Sequence, residues 1–379
     1  MLFIPTEQLC AGMVLAKDIY LHVSNAFMPP LLTKGQPLTE LYLRKLHMYG
    51  ISGAYVENIL LPDEIEPEEP LTEELKRKSL HDIRQAFTDF RKRQYVLEAT
   101  QMKKLTNLTD RLVREMLESP CGCVNDMVDL HSYDDYTYHH SLYVSVLSIA
   151  TGVSLGLPES SLRELALAAL LHDIGKLAVP VEIINKPGML TEAEFDLVKQ
   201  HPQQGVKYLA GRREISAAIL SGIEFHHERY NGSGYPYGLA GEKIPYYARI
   251  LAVCDVYNAL TSTRPYKQRS FPSEAVEYML GSAQIHFDYD ILVAFLKNIA
   301  AYPVGIIVKL SNGEQAVVIK NHPGSLLRPT IRILPPETGA TGPLIHLAND
   351  ARYASVTIVD RGYREYRTGF LAAAKGAKS

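Results

Sequence analysis

The sequence predicts a mainly α-helical protein: a helical bundle carries a two-metal site, with a small N-terminal α/β domain before it and a small C-terminal β-rich domain after it. Three observations support this prediction. Apolar residues recur at helical spacing through most of 71–300, an apolar helix ends in the adjacent pair His172-Asp173, and strand-like runs replace helical patterns after Pro303. We place the boundaries at 1–60, 61–123, 124–300 and 301–379.

The composition is that of an ordinary globular protein. The 379 residues allow two or three domains, and a net charge of −3 gives no field that would favour a nucleic-acid polymer. Four cysteines do not make a disulfide framework in a chain of this length, which indicates a reducing compartment. The chain starts without a signal-peptide pattern, and small polar residues interrupt the uncharged run from Ser141 to Pro158. We therefore expect a cytoplasmic protein without a membrane span.

The N-terminal region alternates short apolar runs with glycine and proline. A helical pattern covers Thr39 to Leu46, and a closing strand is expected over Ser52 to Val56. Residues 61–70 are acidic and proline-rich, which is typical of a linker. Thr72 is a candidate N-cap for helices that continue to residue 118. These helices either pack on the next domain, which we favour, or form a dimerisation stalk that would make the protein a homodimer.

The central region is expected to bury its helices. The segment from Leu162 to Leu171 is apolar almost all round, so it should lie inside a bundle and bring His172 and Asp173 to its centre. Bundle cores are places where facing helices hold metals. Beyond this region, Asn312-Gly313 between two apolar runs predicts a β-hairpin, and further strands should follow in the C-terminal domain.

Metal-capable side chains are concentrated in the central region. They are His140, His172, Asp173, His201, His226, His227 and Asp255. Imidazole and carboxylate together suit zinc, iron or manganese. A single His-Asp pair is more often a satisfied structural pair, but these groups exceed the roughly four protein ligands that one zinc takes. The pattern therefore favours two metals that share one carboxylate.

A series of short motifs runs through residues 136 to about 297. They are His140-Ser141, Leu170 to Lys176, Ile184 to Gly188, His201-Pro202, His226-His227-Glu228-Arg229, Gly232 to Leu239, Arg249 to Asp255, Ala259 to Ser262, and Arg264-Pro265-Tyr266-Lys267. In order and spacing this series resembles the HD-GYP family of cyclic di-GMP phosphodiesterases, a branch of the HD hydrolase superfamily. The resemblance implies an HD-type helical bundle that hydrolyses cyclic di-GMP to pGpG, and the end product, pGpG or GMP, stays open.

The resemblance also implies the metal ligands. One ion would be held by His140, His172, Asp173 and Asp255, and the other by Asp173, His201, His226 and His227. Asp173 would then bridge two divalent ions about 3.5–4 Å apart, and a hydroxide between them would be a nucleophile at neutral pH. Mixed nitrogen and oxygen ligands fit iron or manganese, with zinc as an alternative.

The family's substrate contacts correspond to cationic and aromatic residues here. Asp173 and Lys176 would be catalytic, and Lys176, Arg264 and Lys267 would contact the phosphates of cyclic di-GMP. Tyr235 would line the site, and it lies in the family's signature loop, which contains Asn231 to Pro236. A diguanylate cyclase would be a further partner through this loop. The alternatives are that Lys176 caps its helix and that Arg264 and Lys267 belong to a solvated turn.

Departures from the family pattern leave rival functions open. Tyr136 stands where some relatives have a glutamate that helps hold a third metal, so we predict two metals. Asn231 and Asn258 stand where aspartate is usual, which could weaken the positioning of the ligands. The rivals are a cyclic di-GMP-binding or cyclase-docking module without turnover, and a phosphohydrolase for another cyclic dinucleotide or a guanosine polyphosphate. We expect His139 to be exposed and idle, and Cys254 to be a buried apolar residue.

Overall fold

The computed structural model describes residues 1–20, 29–51, 53–57, 70–119, 136–186, 188–262, 270–334 and 342–361. The helices are α1 (Glu40–Met48), α2 (Glu73–Lys92), α3 (Ala99–Glu118), α4 (Tyr136–Ser154), α5 (Glu159–Leu171), α6 (Val181–Ile184), α7 (Glu192–Lys199), α8 (His201–Leu209), α9 (Ala217–Phe225), α10 (Tyr246–Thr261), α11 (Pro272–Gly281) and α12 (Tyr289–Leu296). The strands are β1 (Leu2–Pro5), β2 (Gly53–Val56), β3 (Ile307–Leu310), β4 (Gln315–Lys320), β5 (Thr330–Leu334), β6 (Leu344–His346) and β7 (Ile358–Arg361). The predicted fold class is confirmed: the protein is mainly helical, with a small α/β region first and a β-rich region last.

The strands form two antiparallel sheets. β1 pairs with β2, and the C-terminal sheet has the order β6-β5-β4-β3-β7. The predicted Asn-Gly hairpin joins β3 to β4, and Gly313 adopts a φ of +88°, a conformation that glycine reaches without steric cost. Thr39 caps α1, because its side chain accepts a hydrogen bond from the N–H of Tyr42.

The two ends of the chain share one hydrophobic core. The N–H of Phe3 in β1 donates to the carbonyl of Gly305, just before β3, at 3.1 Å. Buried side chains from the N-terminal segment, such as Leu15, lie in the same cluster as Ile307 and Val317 of the C-terminal sheet. The terminal segments therefore pack together although most of the chain separates them.

Helices α2 and α3 pack onto the central bundle. Their buried residues, among them Ile83, Phe87 and Leu112, belong to the same hydrophobic cluster as the bundle core. Thr72 caps α2 as the sequence predicts, since its hydroxyl accepts from the N–H of Leu75 at 3.3 Å. These helices thus pack on the bundle, which is the alternative that we favoured. The homodimer stays a prediction.

Helices α4, α5, α8, α9 and α10 form the part of the bundle that positions the predicted ligands. Every residue from Leu165 to Leu171 in α5 is buried, as its apolar pattern predicts. The ligands lie near helix ends or on inward faces: His140 in α4, His172 at the end of α5, Asp173 directly after it, His201 at the start of α8, His226 and His227 after α9, and Asp255 in α10. Among the described helices, none is both long enough and apolar enough to cross a bilayer.

Candidate metal centre

The carboxylate of Asp173 lies between two pairs of histidines. Its Oδ1 is 3.2 Å from Nε2 of His201 and 3.8 Å from Nε2 of His226. Its Oδ2 is 3.5 Å from Nε2 of both His140 and His172. Each oxygen therefore faces a different histidine pair, which is the arrangement that a bridging carboxylate requires.

Asp255 and His227 complete the cluster. Oδ1 of Asp255 is 3.1 Å from Nε2 of His140, and its Oδ2 is 3.9 Å from Nδ1 of His227. His227 is the most accessible of the seven, with 21% of its side chain exposed. The structure thus brings together all seven side chains that the sequence singled out, from five separate helices or helix ends.

Four of the histidines are oriented by hydrogen bonds on the ring nitrogen that points away from the centre. The Nδ1 contacts are His172 with the carbonyl of Ala169 at 2.7 Å, His201 with that of Val198 at 2.7 Å, His226 with that of Ile223 at 2.6 Å, and His140 with Oδ1 of Asn258 at 2.8 Å. An oxygen acceptor requires a proton on Nδ1, so the neutral ring turns the lone pair of Nε2 towards the centre. This is the tautomer that ligates a metal through Nε2.

The inward-facing donor atoms fit divalent cations. Nε2 of His140 lies 3.2 Å from Nε2 of His172, and Nε2 of His201 lies 3.3 Å from Nε2 of His226. Facing lone pairs repel each other unless a cation or proton lies between or beside them. Oδ1 of Asp173 and Nε2 of His227 are also buried without a hydrogen-bond partner among the described residues.

The donor atoms fall into two groups. Within each group, the atoms lie within 4.8 Å of one another; the groups are Asp173, His201, His226 and His227, and His140, His172 and Asp255. Oδ2 of Asp173 lies beside the second group as well, at 3.5 Å from two of its histidines. The cluster is therefore suited to divalent metal ions in adjacent positions.

The electrostatics of the cluster favour the ligating protonation states. Burial lowers the pKa of His172, His226 and His227, so these imidazoles are neutral at pH 7. Burial alone would raise the pKa of Asp173, but the neighbouring His172 and the ammonium of Lys176 hold it well below its usual range. The pKa of Asp255 is likewise well below its usual range, because a hydrogen bond with His140 and the nearby imidazoles outweigh burial. Neutral imidazoles and ionised carboxylates are the forms that bind metals.

Lys176 lies against the bridging carboxylate. It belongs to the 3-10 turn Ile174–Ala178, and its Nζ is 2.7 Å from Oδ2 of Asp173, with 26% of its side chain exposed. The ammonium is thus at the edge of the cluster and reaches solvent. Arg264 and Lys267, the other predicted phosphate contacts, lie outside the described residues.

The signature loop lies over His227. The ring of Tyr235 stacks on that of His227, with centroids 4.7 Å apart and planes 27° from parallel. The N–H of Tyr235 donates to the carbonyl of His227 at 3.2 Å. A Cβ at Gly234 would overlap the backbone of Glu228 and Arg229, so this close approach needs glycine. Burial raises the pKa of Tyr235, and its phenol therefore remains neutral.

The two asparagines that replace the usual aspartates both act as hydrogen-bond acceptors. Oδ1 of Asn231 accepts from the N–H and the hydroxyl of Ser233, at 3.0 and 2.7 Å. Oδ1 of Asn258 lies 2.8 Å from Nδ1 of His140 and accepts from the hydroxyl of Ser262 at 3.3 Å. An amide oxygen thus makes these contacts without a negative charge. Tyr136 is the first residue of α4, and its side chain is outside the described part of the structure.

One expectation about a neighbouring residue is wrong. His139 is buried, with 1% of its surface exposed, rather than exposed as we expected. The reason is that α4 packs against α2, α5, α10 and α12, so adjacent positions on this helix are all covered. Cys254 is buried as expected, and burial raises the pKa of its thiol to about 12. Sequence reasoning also gave no role to Glu228, whose buried carboxylate contacts the signature loop.

Comparison with known proteins agrees with this geometry. Residues 111–291 match the family model for the HD domain, and residues 307–357 match that for a KOW domain associated with HD domains. The chain is 44% identical over 236 residues to a cyclic di-GMP phosphodiesterase of Pseudomonas aeruginosa, covering 62% of this chain and 56% of that protein. It is 35% identical over 232 residues to a cyclic di-GMP phosphodiesterase of Thermotoga maritima, covering 60% of each.

A relative that is named for a different substrate is also similar. A 3′3′-cGAMP-specific phosphodiesterase of Vibrio cholerae is 37% identical over 154 residues, which cover 41% of this chain and 35% of that protein. The chain thus spans between about one third and three fifths of the length of these relatives. The family match and the relatives agree with the motif series: residues 111–291 match the HD domain, and the chain is similar over about three fifths of its length to cyclic di-GMP phosphodiesterases.

Proposed function

We propose that this protein is a metal-dependent phosphodiesterase that hydrolyses cyclic di-GMP to pGpG, with GMP as the product of any further cleavage. The observation that carries the proposal is the position of Asp173, whose two carboxylate oxygens face two different pairs of histidines. Two relatives that align with about three fifths of this chain are named cyclic di-GMP phosphodiesterases.

The proposed ligands divide into two sets that share Asp173. They are His140, His172, Asp173 and Asp255 for one ion, and Asp173, His201, His226 and His227 for the other. We propose iron or manganese as the metals, with zinc as the alternative, because the donors are imidazole nitrogens and carboxylate oxygens. When bound, such ions supply Lewis-acid charge and lower the pKa of bound water.

The chain's own residues bind and orient the substrate. Lys176 places an ammonium at the solvent-accessible edge of the cluster, where it would neutralise a non-bridging phosphate oxygen. Arg264 and Lys267 are proposed to contact the phosphates as well. Cyclic di-GMP carries two phosphodiester charges, so a local group of cations suits it although the net charge of the protein is −3. Tyr235 would offer the substrate the edge of a ring that His227 holds in place.

Turnover of cyclic di-GMP by the purified full chain, supplied with Mn²⁺ or Fe²⁺ under anaerobic conditions, tests this proposal. We expect pGpG to appear, and Asp173→Ala to abolish its formation. Binding of cyclic di-GMP without any product would instead favour the binding or docking module. Equal amounts of 3′3′-cGAMP and cyclic di-GMP in one reaction would measure the preference between substrates. Faster cleavage of 3′3′-cGAMP would overturn the assignment of cyclic di-GMP.

We also propose a cytoplasmic location and, as a second partner, a diguanylate cyclase that docks on the signature loop. The loop presents Tyr237, which is 54% exposed beside the site, and aromatic side chains are frequent in protein interfaces. Replacement of Tyr237 by serine should then weaken cyclase binding while metal content is unchanged.

A further inference from the structure

The residue directly after the two adjacent histidines makes an unusual set of hydrogen bonds. The side chain of Glu228 is buried, with 2% of the residue exposed. Its Oε1 accepts from the N–H groups of Tyr237 and Gly238 at 2.8 and 3.1 Å, and its Oε2 accepts from the N–H of Leu239 at 3.0 Å. Three successive backbone amides thus converge on one carboxylate, a concave arrangement that suits an anion.

These hydrogen bonds close the signature loop onto the metal cluster. The loop begins after Glu228. At its far end, the N–H groups of residues 237–239 bind the carboxylate of Glu228. Between these points, the N–H of Tyr235 donates to the carbonyl of His227, and the two rings stack. Glu228 therefore connects the backbone that carries His227 to the far end of the loop that carries Tyr235.

The far end of the loop has other attachments as well: the N–H of Gly241 donates to the carbonyl of Tyr230 at 2.8 Å, and the phenol of Tyr237 accepts from Nε2 of Gln203 at 3.3 Å. The phenol of Tyr237 donates to Glu224 at 2.8 Å, but that contact is at the surface. On the near side, the N–H of Asn231 donates to the carbonyl of Ile285 at 2.9 Å. A hydrogen bond with an ionised acceptor is roughly twice as strong as a neutral one, so the contacts with Glu228 should dominate the closure of the loop.

We propose that Glu228 is a positioning residue, which holds the signature loop closed so that Tyr235 stays stacked on His227 at the substrate side of the cluster. Its effect on turnover rests on the proposed function, whereas its hold on the loop stands on geometry alone. Glutamine at this position would keep the acceptor for Tyr237 and Gly238. It would, however, turn an amide N–H₂ towards the N–H of Leu239, where two donors oppose each other.

Hydrogen exchange of the full-length protein tests the hold on the loop without any assay of activity. In Glu228→Gln, the amides of residues 237–239 should exchange at least about tenfold faster than in the wild type. The control is Glu242→Gln, which removes the same charge from an exposed residue just beyond the loop and should change nothing. Unchanged exchange of residues 237–239 in Glu228→Gln would overturn the proposal. If Glu228→Gln does not fold, Glu228→Asp keeps the charge on a shorter side chain and should give the same faster exchange.

Kinetics then separate positioning from a purely structural role. Glu228→Gln should lower kcat/KM by about 10–100-fold while metal content stays at the wild-type level. In a Tyr235→Ala background, the same substitution should have little further effect, because the two residues act through one contact. Additive losses, or a loss of metal, would show that Glu228 does not act through Tyr235. If the wild type itself lacks turnover, the proposed function fails, but the exchange measurement still decides whether Glu228 holds the loop.

Discussion

Replacement of Asn258 by alanine should weaken metal binding although Asn258 is not a predicted ligand. Its Oδ1 is 2.8 Å from Nδ1 of His140, and both residues are buried. In Asn258→Ala, the buried N–H of His140 loses its acceptor, which costs about 1–3 kcal/mol. The ring also loses the contact that turns its Nε2 towards Asp255 and Asp173. Since about 1.4 kcal/mol corresponds to a factor of ten, we expect metal affinity to fall by about 10–100-fold.

A competition titration of Mn²⁺ between the protein and a chelator would measure this loss. The matched control is Asn298→Ala, because Asn298 is an amide in the same bundle whose hydrogen bonds go to Ser154 and the carbonyl of Ala294. That variant should bind metal as the wild type does. Asn258→Asp keeps an acceptor for His140 and should retain or increase the affinity. Wild-type affinity in Asn258→Ala would refute the view that this hydrogen bond orients His140.

Three further outcomes are expected. Lys176→Gln should lower kcat by at least about tenfold with metal content unchanged, since it removes a phosphate contact and not a ligand; loss of metal would contradict this role. Gly234→Ala should slow turnover and speed up hydrogen exchange of the loop amides, because its Cβ would overlap the backbone of Glu228. Between pH 7.5 and 5.5, the free energy of unfolding of the metal-free protein should fall by a few kcal/mol, roughly 1 kcal/mol for each of His172, His226 and His227.

The sign of this pH dependence follows from burial. The pKa values of His172, His226 and His227 are lowered in the folded state, so all three take up a proton on unfolding once the pH falls below about 6.5. Stability is therefore complete above that pH and is lost on acidification. The lowered pKa of Asp173 and Asp255 adds a further loss, which begins only below about pH 4. Denaturant titrations in the presence of a chelator would measure this pH dependence of stability. A stability that rises on acidification would contradict the reasoning.

Local pattern predicted much of this molecule. The apolar sequence of α5 predicted a buried helix that delivers His172 and Asp173 to the core, and Asn312-Gly313 predicted the β3–β4 hairpin. The motif series and the family that it resembles indicated which of the 13 histidines would gather with Asp173 and Asp255. The convergence of helices distant in sequence then followed from the motif series.

Features that depend on partners distant in sequence were not predictable in this way. The common core of the two chain ends includes a backbone hydrogen bond from Phe3 to Gly305. The periodicity of apolar residues does not predict such a long-range contact. Asn258 and Glu228 lie near the ligands in the sequence, but their hydrogen-bond partners do not follow from it. The packing of α4 brings His140 to Asn258, and the path of the loop brings Tyr237 to Glu228. His139 was misplaced because the burial of a whole helix depends on how many neighbours surround it.

The most direct test of the central claim is the metal content of the anaerobically purified full chain, measured by mass spectrometry for the wild type and for Asp173→Ala. If the carboxylate of Asp173 bridges two ions, the wild type should contain two per chain, and the variant should lose at least one of them together with its turnover. A variant that keeps both ions and full turnover would contradict the claim that Asp173 joins the two halves of the site.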